Sequence, residues 1–250
     1  MRMTMPASFP EEAFLKFGAA APSFLPRILS DEYMTDSGER MQHFNLSWQA
    51  VRYRYRTCTE CDAEFKAMLA AQRDWELSDD ERNYKLGRCV YEFFTNALSV
   101  FESFGFCLYF VGHALKPIDF PLVDSENFRA ITLGNVGKAF DVAFPKEPVA
   151  KELSQLRANQ AFQQIEVIRN ILAHRTAGGR GSSSHSILHA DGSFTEESAK
   201  EWFYLPGLKK TLPFDELFFE HILNNIGALV NRLAVASVTF IENQTSLATA

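Results

Sequence analysis

The stretch that decides the fold is SDDERNYKLGRCVYEFFTNALSVFESFGFCLYFVGHALKP, residues 78–117. It opens with Ser78, a favourable N-cap residue, followed by acids that suit the positive end of a helix. Apolar residues then recur every three or four positions, which is the spacing of one helix face. The stripe consists of Val90, Phe93, Phe94, Ala97, Leu98, Phe101, Phe104, Leu108, Val111 and Leu115. Pro117 cannot continue a helix, so the pattern predicts one long helix over about 81–116.

Part of this helix, Phe93 to Leu115, is long and apolar enough to resemble a membrane span. Glu102 stands at its centre, and a carboxylate there costs about 2.5–3.5 kcal/mol on insertion scales. A buried core helix explains the same residues without that cost. The first ten residues also lack the basic and apolar regions of a signal peptide. We therefore expect a soluble, cytoplasmic protein with no membrane partner.

Helical spacing extends to both sides of this segment. Ser47 to Arg73 keeps three- and four-residue apolar spacing, and a second long helix is predicted from Val149 to Arg175. A short helix is expected near Asn135–Phe140. The last helix is predicted to open at Pro213 and Asp215-Glu216. Its stripe consists of Phe218, Ile222, Ile226, Leu229, Leu233, Ala236 and Phe240.

The remaining segments carry helix breakers. Prolines interrupt residues 1–45, so this region is predicted to be irregular apart from a short helix near Glu11–Phe17. Residues 46–250 form one helical domain with an insertion at 178–212. The glycine- and serine-rich start of the insertion, 178–184, predicts a flexible loop. Asp191-Gly192 is a hairpin turn signal, so a small β-hairpin is expected near 186–204, although Glu196 to Tyr204 also suits a helical turn.

Composition agrees with an all-α bundle of ordinary globular character. Of 250 residues, 46% are hydrophobic, and 23 are phenylalanine, so the aromatic core should be large. The formal net charge of −6 argues against a surface that coats nucleic acid broadly, although a small basic pocket remains compatible with it.

The cysteines give little sign of a metal or redox site. Cys58 and Cys61 form a single C-x-x-C pair, and a zinc site needs further ligands at a suitable spacing. Cys89 and Cys107 do not supply that spacing. We expect reduced thiols on helices, no bound metal and no cofactor.

One string concentrates polar chemistry at a helix end: Ile168-Arg169-Asn170-Ile171-Leu172-Ala173-His174-Arg175. Phosphate-binding glycine motifs, the zinc motif H-E-x-x-H and the nucleophile motif G-x-S-x-G are all absent from the sequence. A second Arg-x4-His string, Arg180 to His185, lies in the glycine- and serine-rich segment.

The chain resembles the HEPN superfamily, whose mark is an arginine, often followed by a polar residue such as asparagine, and a histidine four to six residues on. Arg169, Asn170 and His174 match this motif, and the order of a long apolar helix, a connection and a motif helix matches the family. The resemblance covers about 81–116 and 149–175. It implies a HEPN-like helical bundle, a homodimer with both motifs at a shared cleft, and metal-independent endoribonuclease activity. Toxin–antitoxin and phage-defence roles, with an antitoxin or other protein partner, are common in the family.

The residue types suit RNA cleavage. An imidazole such as that of His174 exchanges protons near neutral pH. A guanidinium such as that of Arg169 binds phosphate oxygens in a fork and stays charged, and Arg175 adds a second cation. Asn170 can orient the imidazole or the phosphate. Arg169 and His174 lie about 140° apart around an ideal helix, so within one chain Arg169 has to reach around or the helix has to loosen at its end. A site shared between two chains accommodates them more easily.

Other roles remain open for these residues. Basic residues in a last turn are favoured by the helix dipole alone, by about 0.3–1 kcal/mol each. Glu102 either orients Arg169 or His174, or lies on the solvent side of its helix. Glu166 is predicted to form a surface ion pair. The run Tyr53-Arg54-Tyr55-Arg56 either stacks on RNA bases or is a solvated helix face with two core tyrosines.

Three functions follow from these alternatives. The first is a HEPN-like ribonuclease with Arg169, His174 and Asn170 catalytic and with Glu102 and Arg175 supporting. The second is a non-catalytic HEPN-like module that binds RNA, a nucleotide or a protein partner. The third is a helical scaffold in which the phenylalanine stripes build a core and an oligomer interface.

Overall fold

The computed structural model describes residues 9–28, 34–70, 78–122, 128–129, 131–174, 178–189, 191, 193–205, 213–215 and 217–249. Within these residues the protein is an all-α helical bundle with a small antiparallel sheet. The helices are α1 (Glu11–Ile28), α2 (Met34–Ala70), α3 (Asp79–Leu115), α4 (Leu133–Ala143), α5 (Pro148–Ala158), α6 (Gln160–His174) and α7 (Phe218–Thr249). The strands are β1 (Gly179–Leu188), β2 (Phe194–Tyr204) and β3 (Pro213–Phe214), in the order β1-β2-β3.

Helix α3 confirms the prediction made from its stripe. The Ser78 hydroxyl accepts a hydrogen bond from the Glu81 amide at 3.2 Å, and the helix ends two residues before Pro117. Among the described helices, α3 alone has the length and composition of a membrane span. However, 72% of its most apolar 18-residue window is buried inside the fold, as expected for a core helix.

An aromatic core surrounds α3. Phe93 stacks on Phe219 of α7 with ring centroids 4.2 Å apart, and Phe104 stacks on Phe17 of α1 at 5.1 Å. The largest fully buried side chains in the described chain are Tyr55, Phe14, Phe17, Phe44, Phe65, Phe93, Phe94, Phe101, Phe104, Phe120, Phe140 and Phe203. Burial of each such ring stabilises the fold by roughly 1.5–3 kcal/mol, so the high phenylalanine content is used in packing α1, α2, α3 and α7 together.

The N-terminal region is more helical than predicted. Helix α1 continues past the expected Phe17 to Ile28, and α2 begins at Met34, so the predicted boundary at residue 45 falls inside a helix. Phe14 and Phe17 are fully buried, and Arg52 of α2 donates to Glu11 at 3.0 Å. The apolar face of α1, which buries Phe14 and Phe17 in the core, keeps the segment helical despite Pro22 and Pro26.

The predicted helix from Val149 to Arg175 is two helices. Helix α5 ends at Ala158, and Asn159 takes an extended conformation with φ −72° and ψ 129°. The Asn159 side-chain oxygen accepts hydrogen bonds from the amides of Ala161 at 2.9 Å and Phe162 at 3.2 Å. Asparagine is among the best N-cap residues, so Asn159 follows the end of α5 and caps the start of α6.

Helix α4 confirms the short helix expected near Asn135–Phe140, and it explains a glycine in the middle of α3. A Cβ atom at Gly105 would lie 3.0 Å from Cδ1 of Leu133, the first residue of α4, and 3.6 Å from its Cα. A larger residue at 105 would therefore push the start of α4 away from α3. This contact fixes the N-terminus of α4 against the central helix.

The insertion contains the expected hairpin, but the hairpin starts earlier than predicted. Strand β1 begins at Gly179, within the segment expected to be a flexible loop, and β2 occupies the stretch that also suited a helical turn. Pro213 does not open the last helix. It pairs with Tyr204 on the edge strand β3, where a proline is tolerated, and α7 begins at Phe218.

Candidate functional site

Helix α6 presents Arg169 and Asn170 on the side away from the core. Phe162, Ile165 and Ile168 are buried, and the Phe162 ring meets Phe101 of α3 edge to face at 5.3 Å. Arg169 is half-buried and Asn170 is exposed. Packing of the apolar face against α3 therefore fixes which residues of α6 reach solvent.

Arg169 and Asn170 line a cleft of about 520 Å³ between four helices. Helix α3 contributes Leu98 and Glu102 to its wall. The other lining residues are Thr132, Leu133 and Gly134 at the start of α4, Arg157 of α5, and Phe162, Gln163 and Glu166 of α6. The cleft is thus built where α3, the N-terminus of α4, the end of α5 and the exposed side of α6 come together.

Two guanidinium groups and a helix N-terminus give this cleft sites for an anion. The guanidinium carbon of Arg157 lies 4.0 Å from the place that a Cβ atom at Gly134 would occupy. The Thr132 hydroxyl caps α4 by accepting from the Asn135 amide at 3.3 Å. The first amides of α4 therefore add a partial positive charge beside Arg157.

The Arg169 guanidinium donates to the side-chain oxygen of Asn170 at 3.1 Å. This acceptor is a neutral amide, so the charge of Arg169 is not neutralised by the contact. Across the described chain, neither Arg169 nor Arg157 forms an ion pair with a carboxylate. Both cations remain available to a bound phosphate.

Two carboxylates share the cleft. Glu102 is exposed, and its carboxylate lies 3.4 Å from the Ser99 hydroxyl, a long hydrogen bond. Glu166 was expected to form a surface ion pair, but it has none among the described residues and lines the cleft instead. The site therefore has mixed charge, with two arginines and two glutamates among its lining residues.

The structure brings together three of the five predicted site residues: Arg169, Asn170 and Glu102. His174 is the last residue of α6, but its side chain is not among the described parts, and Arg175 lies outside the described residues. The placement of Glu102 beside Arg169 agrees with a supporting role. It agrees equally with the alternative that Glu102 lies on the solvent side of its helix, because the residue is exposed.

Arg157 is the site residue that sequence reasoning missed. On one continuous helix, positions 157 and 169 would lie about 120° apart, on different faces. The break at Asn159 reorients α5 relative to α6, so that both arginines line one cleft. The only sequence signal for this break was an asparagine after an alanine. That pair is too common to identify a helix end without further evidence.

The four cysteines are buried in the described structure. All four thiols are buried and unpaired, and no cluster of three or more metal-ligating side chains occurs among the described residues. Burial, followed by the nearby Cys89 and Glu92, raises the pKa of Cys61 to about 12. Burial likewise raises the pKa of Cys58. Thiols that hold their protons so firmly are poor nucleophiles.

The basic and aromatic run at 53–56 is divided among several environments. Tyr55 is buried and donates to the Leu223 carbonyl at 3.2 Å, whereas Tyr53 is 63% exposed. The expectation of two core tyrosines is therefore wrong for Tyr53. Residues two positions apart lie on nearly opposite sides of a helix, so Tyr53 and Tyr55 cannot both face the core. Arg56 pairs with Glu60 at 2.7 Å, and Arg54 lines a separate cleft.

Comparison of the chain with protein-family models, with characterised proteins and with solved structures finds no match. Membership of the HEPN superfamily thus stays a prediction, resting on the motif at the end of α6 and on the order of the helices.

Proposed function

We propose that this protein is a HEPN-like, metal-independent endoribonuclease that acts as a homodimer, with the Arg169 cleft as its phosphate-binding site. The observation that carries the proposal is the joint placement of Arg169, Asn170, Arg157 and the N-terminus of α4 at one cleft. Two unneutralised guanidinium groups beside a helix N-terminus are a fitting environment for a phosphodiester. In a protein with a net charge of −6, RNA binding depends on local cations such as Arg157 and Arg169.

The proposed chemistry is transfer of the phosphodiester to the neighbouring 2′-oxygen. The 2′-oxygen attacks phosphorus and loses its proton to a base, the bond to the 5′-oxygen breaks, and that oxygen receives a proton. A 2′,3′-cyclic phosphate and a free 5′-hydroxyl result. We assign proton transfer to His174, stabilisation of the extra charge on the phosphoryl oxygens to Arg169, and orientation of Arg169 to Asn170.

The geometry of α6 supports the proposed dimer. The helix remains regular through its final residue, so positions 169 and 174 lie about 140° apart around its axis. Within one chain, Arg169 would have to reach around the helix, or α6 would have to loosen at its end, to bring both residues to one phosphate; a second chain makes this easier. We propose that a second copy supplies His174 to the cleft that contains Arg169.

The proposed setting is the cytoplasm, with RNA as substrate and an antitoxin-like protein as a candidate partner. Four buried, unpaired cysteines suit a reducing compartment. The toxin–antitoxin and phage-defence contexts are proposed from the family resemblance only.

The test is cleavage of a mixed RNA in EDTA by the wild type, Arg169→Ala and His174→Ala, with folding matched by circular dichroism. Arg56→Ala serves as the matched control, because Arg56 is an exposed arginine that pairs with Glu60 away from the cleft. We expect loss of cleavage in the first two variants and full activity in the control. Equal cleavage by all four proteins would show a contaminating nuclease and would contradict the proposal.

Binding without cleavage would favour the non-catalytic alternative. In that case the wild type should retain RNA in EDTA, and Arg169→Ala should bind it more weakly. Absence of both binding and cleavage would leave the helical scaffold as the remaining function.

A further inference from the structure

A second cleft adjoins the Arg169 cleft along α3. It has a volume of about 460 Å³ and lies between α2, α3 and the segment before α4. Its lining residues are Leu46, Ser47, Ala50, Arg54, Glu102, Ser103, Phe106, Ile131 and Thr132. Glu102 and Thr132 line both clefts, so the two clefts adjoin with a shared rim at these residues, and together they are called the groove below.

The arginines of this groove differ in their pairing from five other arginines of the described chain. Arg52, Arg56, Arg88, Arg180 and Arg232 each pair with a carboxylate. Arg54, Arg157 and Arg169 have no such partner within the described part of the chain. One unneutralised cation lies on the α2 side of the shared rim, and two lie on the other side.

The α2 side of the groove also has an apolar surface next to its cation. Leu46 is 55% exposed, and Phe106 is half-buried in the same cleft as Arg54. An apolar surface beside a guanidinium suits a nucleotide, because a base binds to apolar or aromatic side chains and a phosphate binds to a cation. Glu102 at the rim repels phosphates, so successive phosphates are expected on its two sides.

We infer that single-stranded RNA occupies both clefts, with one phosphate at Arg54 and another at Arg157 and Arg169. The base between Leu46 and Phe106 belongs to a nucleotide that is not cleaved. The inference rests on the proposed function, because it takes the Arg169 cleft as the place of cleavage. It adds Arg54 as a binding residue and sets a minimum substrate length of more than a dinucleotide.

The experiment compares RNA binding by fluorescence anisotropy in a His174→Ala background, so that the RNA stays intact. The probes are a dinucleotide and a single strand of about ten nucleotides, a length typical of single-strand binding sites. Arg54→Ala is compared with Arg56→Ala, an arginine two residues away on α2 that lies outside the groove. Affinity is measured across a series of salt concentrations.

Arg54→Ala should weaken binding of the longer strand and leave dinucleotide binding unchanged. The slope of log affinity against log salt should become shallower by about 0.7, the value for one phosphate contact on single-stranded nucleic acid. Arg56→Ala should match the parent with both probes. Equal affinity of Arg54→Ala and the parent for the longer strand would overturn the inference.

The two proposals fail in different ways. If Arg169→Ala weakens binding and abolishes cleavage while Arg54→Ala changes nothing, the second cleft is not a subsite and the proposed function stands. If Arg54→Ala weakens binding of the longer strand but no protein cleaves RNA, the groove binds RNA without the proposed activity. If the parent binds neither probe, the inference is overturned together with its premise.

Discussion

Gly112 of α3 is a residue whose missing side chain makes room for an aromatic ring. A Cβ atom at this position would lie 2.7 Å from Cε1 and Cζ of Phe120. That ring is fully buried and is held edge to face by Tyr109 at 5.3 Å and Phe140 at 5.1 Å, so it has little freedom to retreat. We expect Gly112→Ala to lower the free energy of unfolding by about 1–3 kcal/mol, measured by urea denaturation.

Gly87 provides the matched control in the same helix. Its Cβ atom would lie 3.7 Å from Phe203, an ordinary van der Waals distance. Alanine is favoured over glycine inside a helix by roughly 0.5–1 kcal/mol, so Gly87→Ala should raise the free energy of unfolding. Destabilisation of similar size by both variants would show that the contact with Phe120 is not the cause.

Asp62 is a buried carboxylate that the fold only partly satisfies. One oxygen accepts from Lys66 at 3.0 Å, and the other has no hydrogen-bond partner among the described residues. Burial raises the pKa of Asp62 against the opposing effect of Lys66, and Glu220 adds to the rise. A carboxyl whose pKa is higher in the folded than in the unfolded state binds its proton more tightly when folded, so its contribution to stability grows as pH falls.

We therefore expect Asp62→Asn to be at least as stable as the wild type near neutral pH, because Lys66 keeps Glu220 as a partner at 3.0 Å. As pH falls from about 7 towards about 4, the unfolding free energy of the wild type should rise relative to that of Asp62→Asn. Relative to Glu220→Gln, the wild type should instead lose unfolding free energy as pH falls, because Lys66 lowers the pKa of Glu220. This effect should be weaker, because Glu220 is exposed. Parallel curves of unfolding free energy against pH for wild type and Asp62→Asn would refute this account.

The break between α5 and α6 is the element-scale feature on which the candidate site depends. Asn159 accepts from the amides of Ala161 and Phe162, and these amides have no other helical partner. Asn159→Ala should cost about 0.5–2 kcal/mol in unfolding free energy, measured by thermal or urea denaturation. Asn159→Asp keeps the acceptor and places a negative charge at the positive end of α6, so it should be close to wild type. An equal loss in both variants would mean that the cap is not what stabilises this junction.

Strand β1 shows what local sequence does not reveal about an element. Its start reads as a loop because it is rich in glycine and serine, yet it pairs with an aromatic strand. Gly179 faces Tyr204 and Gly181 faces Trp202 in the register. Cβ atoms at these glycines would lie 2.8 Å from the Tyr204 hydroxyl and 2.7 Å from the Trp202 ring nitrogen. The glycines leave space for aromatic rings that lie about twenty residues further along the chain. The need for glycine at these positions is therefore not visible within the segment itself.

The long helices could be predicted because their signals are local. The apolar stripe of α3 and its Ser78 cap lie within one segment, and the stripe of α7 is buried as its spacing implied. The length of α1 was underestimated because the contacts that stabilise it are not local in sequence. Pro22 and Pro26 are local breaking signals, whereas the core that receives Phe14 and Phe17 is assembled from distant helices.

At the scale of the whole molecule, the candidate site could be predicted only as a list of residues. Arg169, Asn170 and Glu102 were identified from the motif and from a charge in an apolar helix. Their partner Arg157 and the N-terminus of α4 join them through packing between segments that are far apart in sequence. Periodicity along one chain carries no information about which helix ends will meet, so the electrostatics of the cleft required the fold.

The proposed dimer makes a prediction that no single-chain site shares. If each site takes Arg169 from one chain and His174 from the other, Arg169→Ala and His174→Ala should complement each other when mixed. A mixed dimer then contains one site with both residues and one with neither. Random reassembly makes about half of the dimers mixed, and half of their sites intact, so activity should return to about one quarter of the wild-type value.

The measurement is RNA cleavage in EDTA after the two variants are unfolded and refolded together at equal concentration. Each variant refolded alone is the control and should remain inactive. Light scattering of the same samples should give the mass of two 28.3 kDa chains. Recovery of activity would place His174 of one chain beside Arg169 of another, because no chain in the mixture contains both residues. Two inactive variants that stay inactive as a mixed dimer would instead require both residues from one chain, and α6 would then have to depart from its regular helix at residue 174.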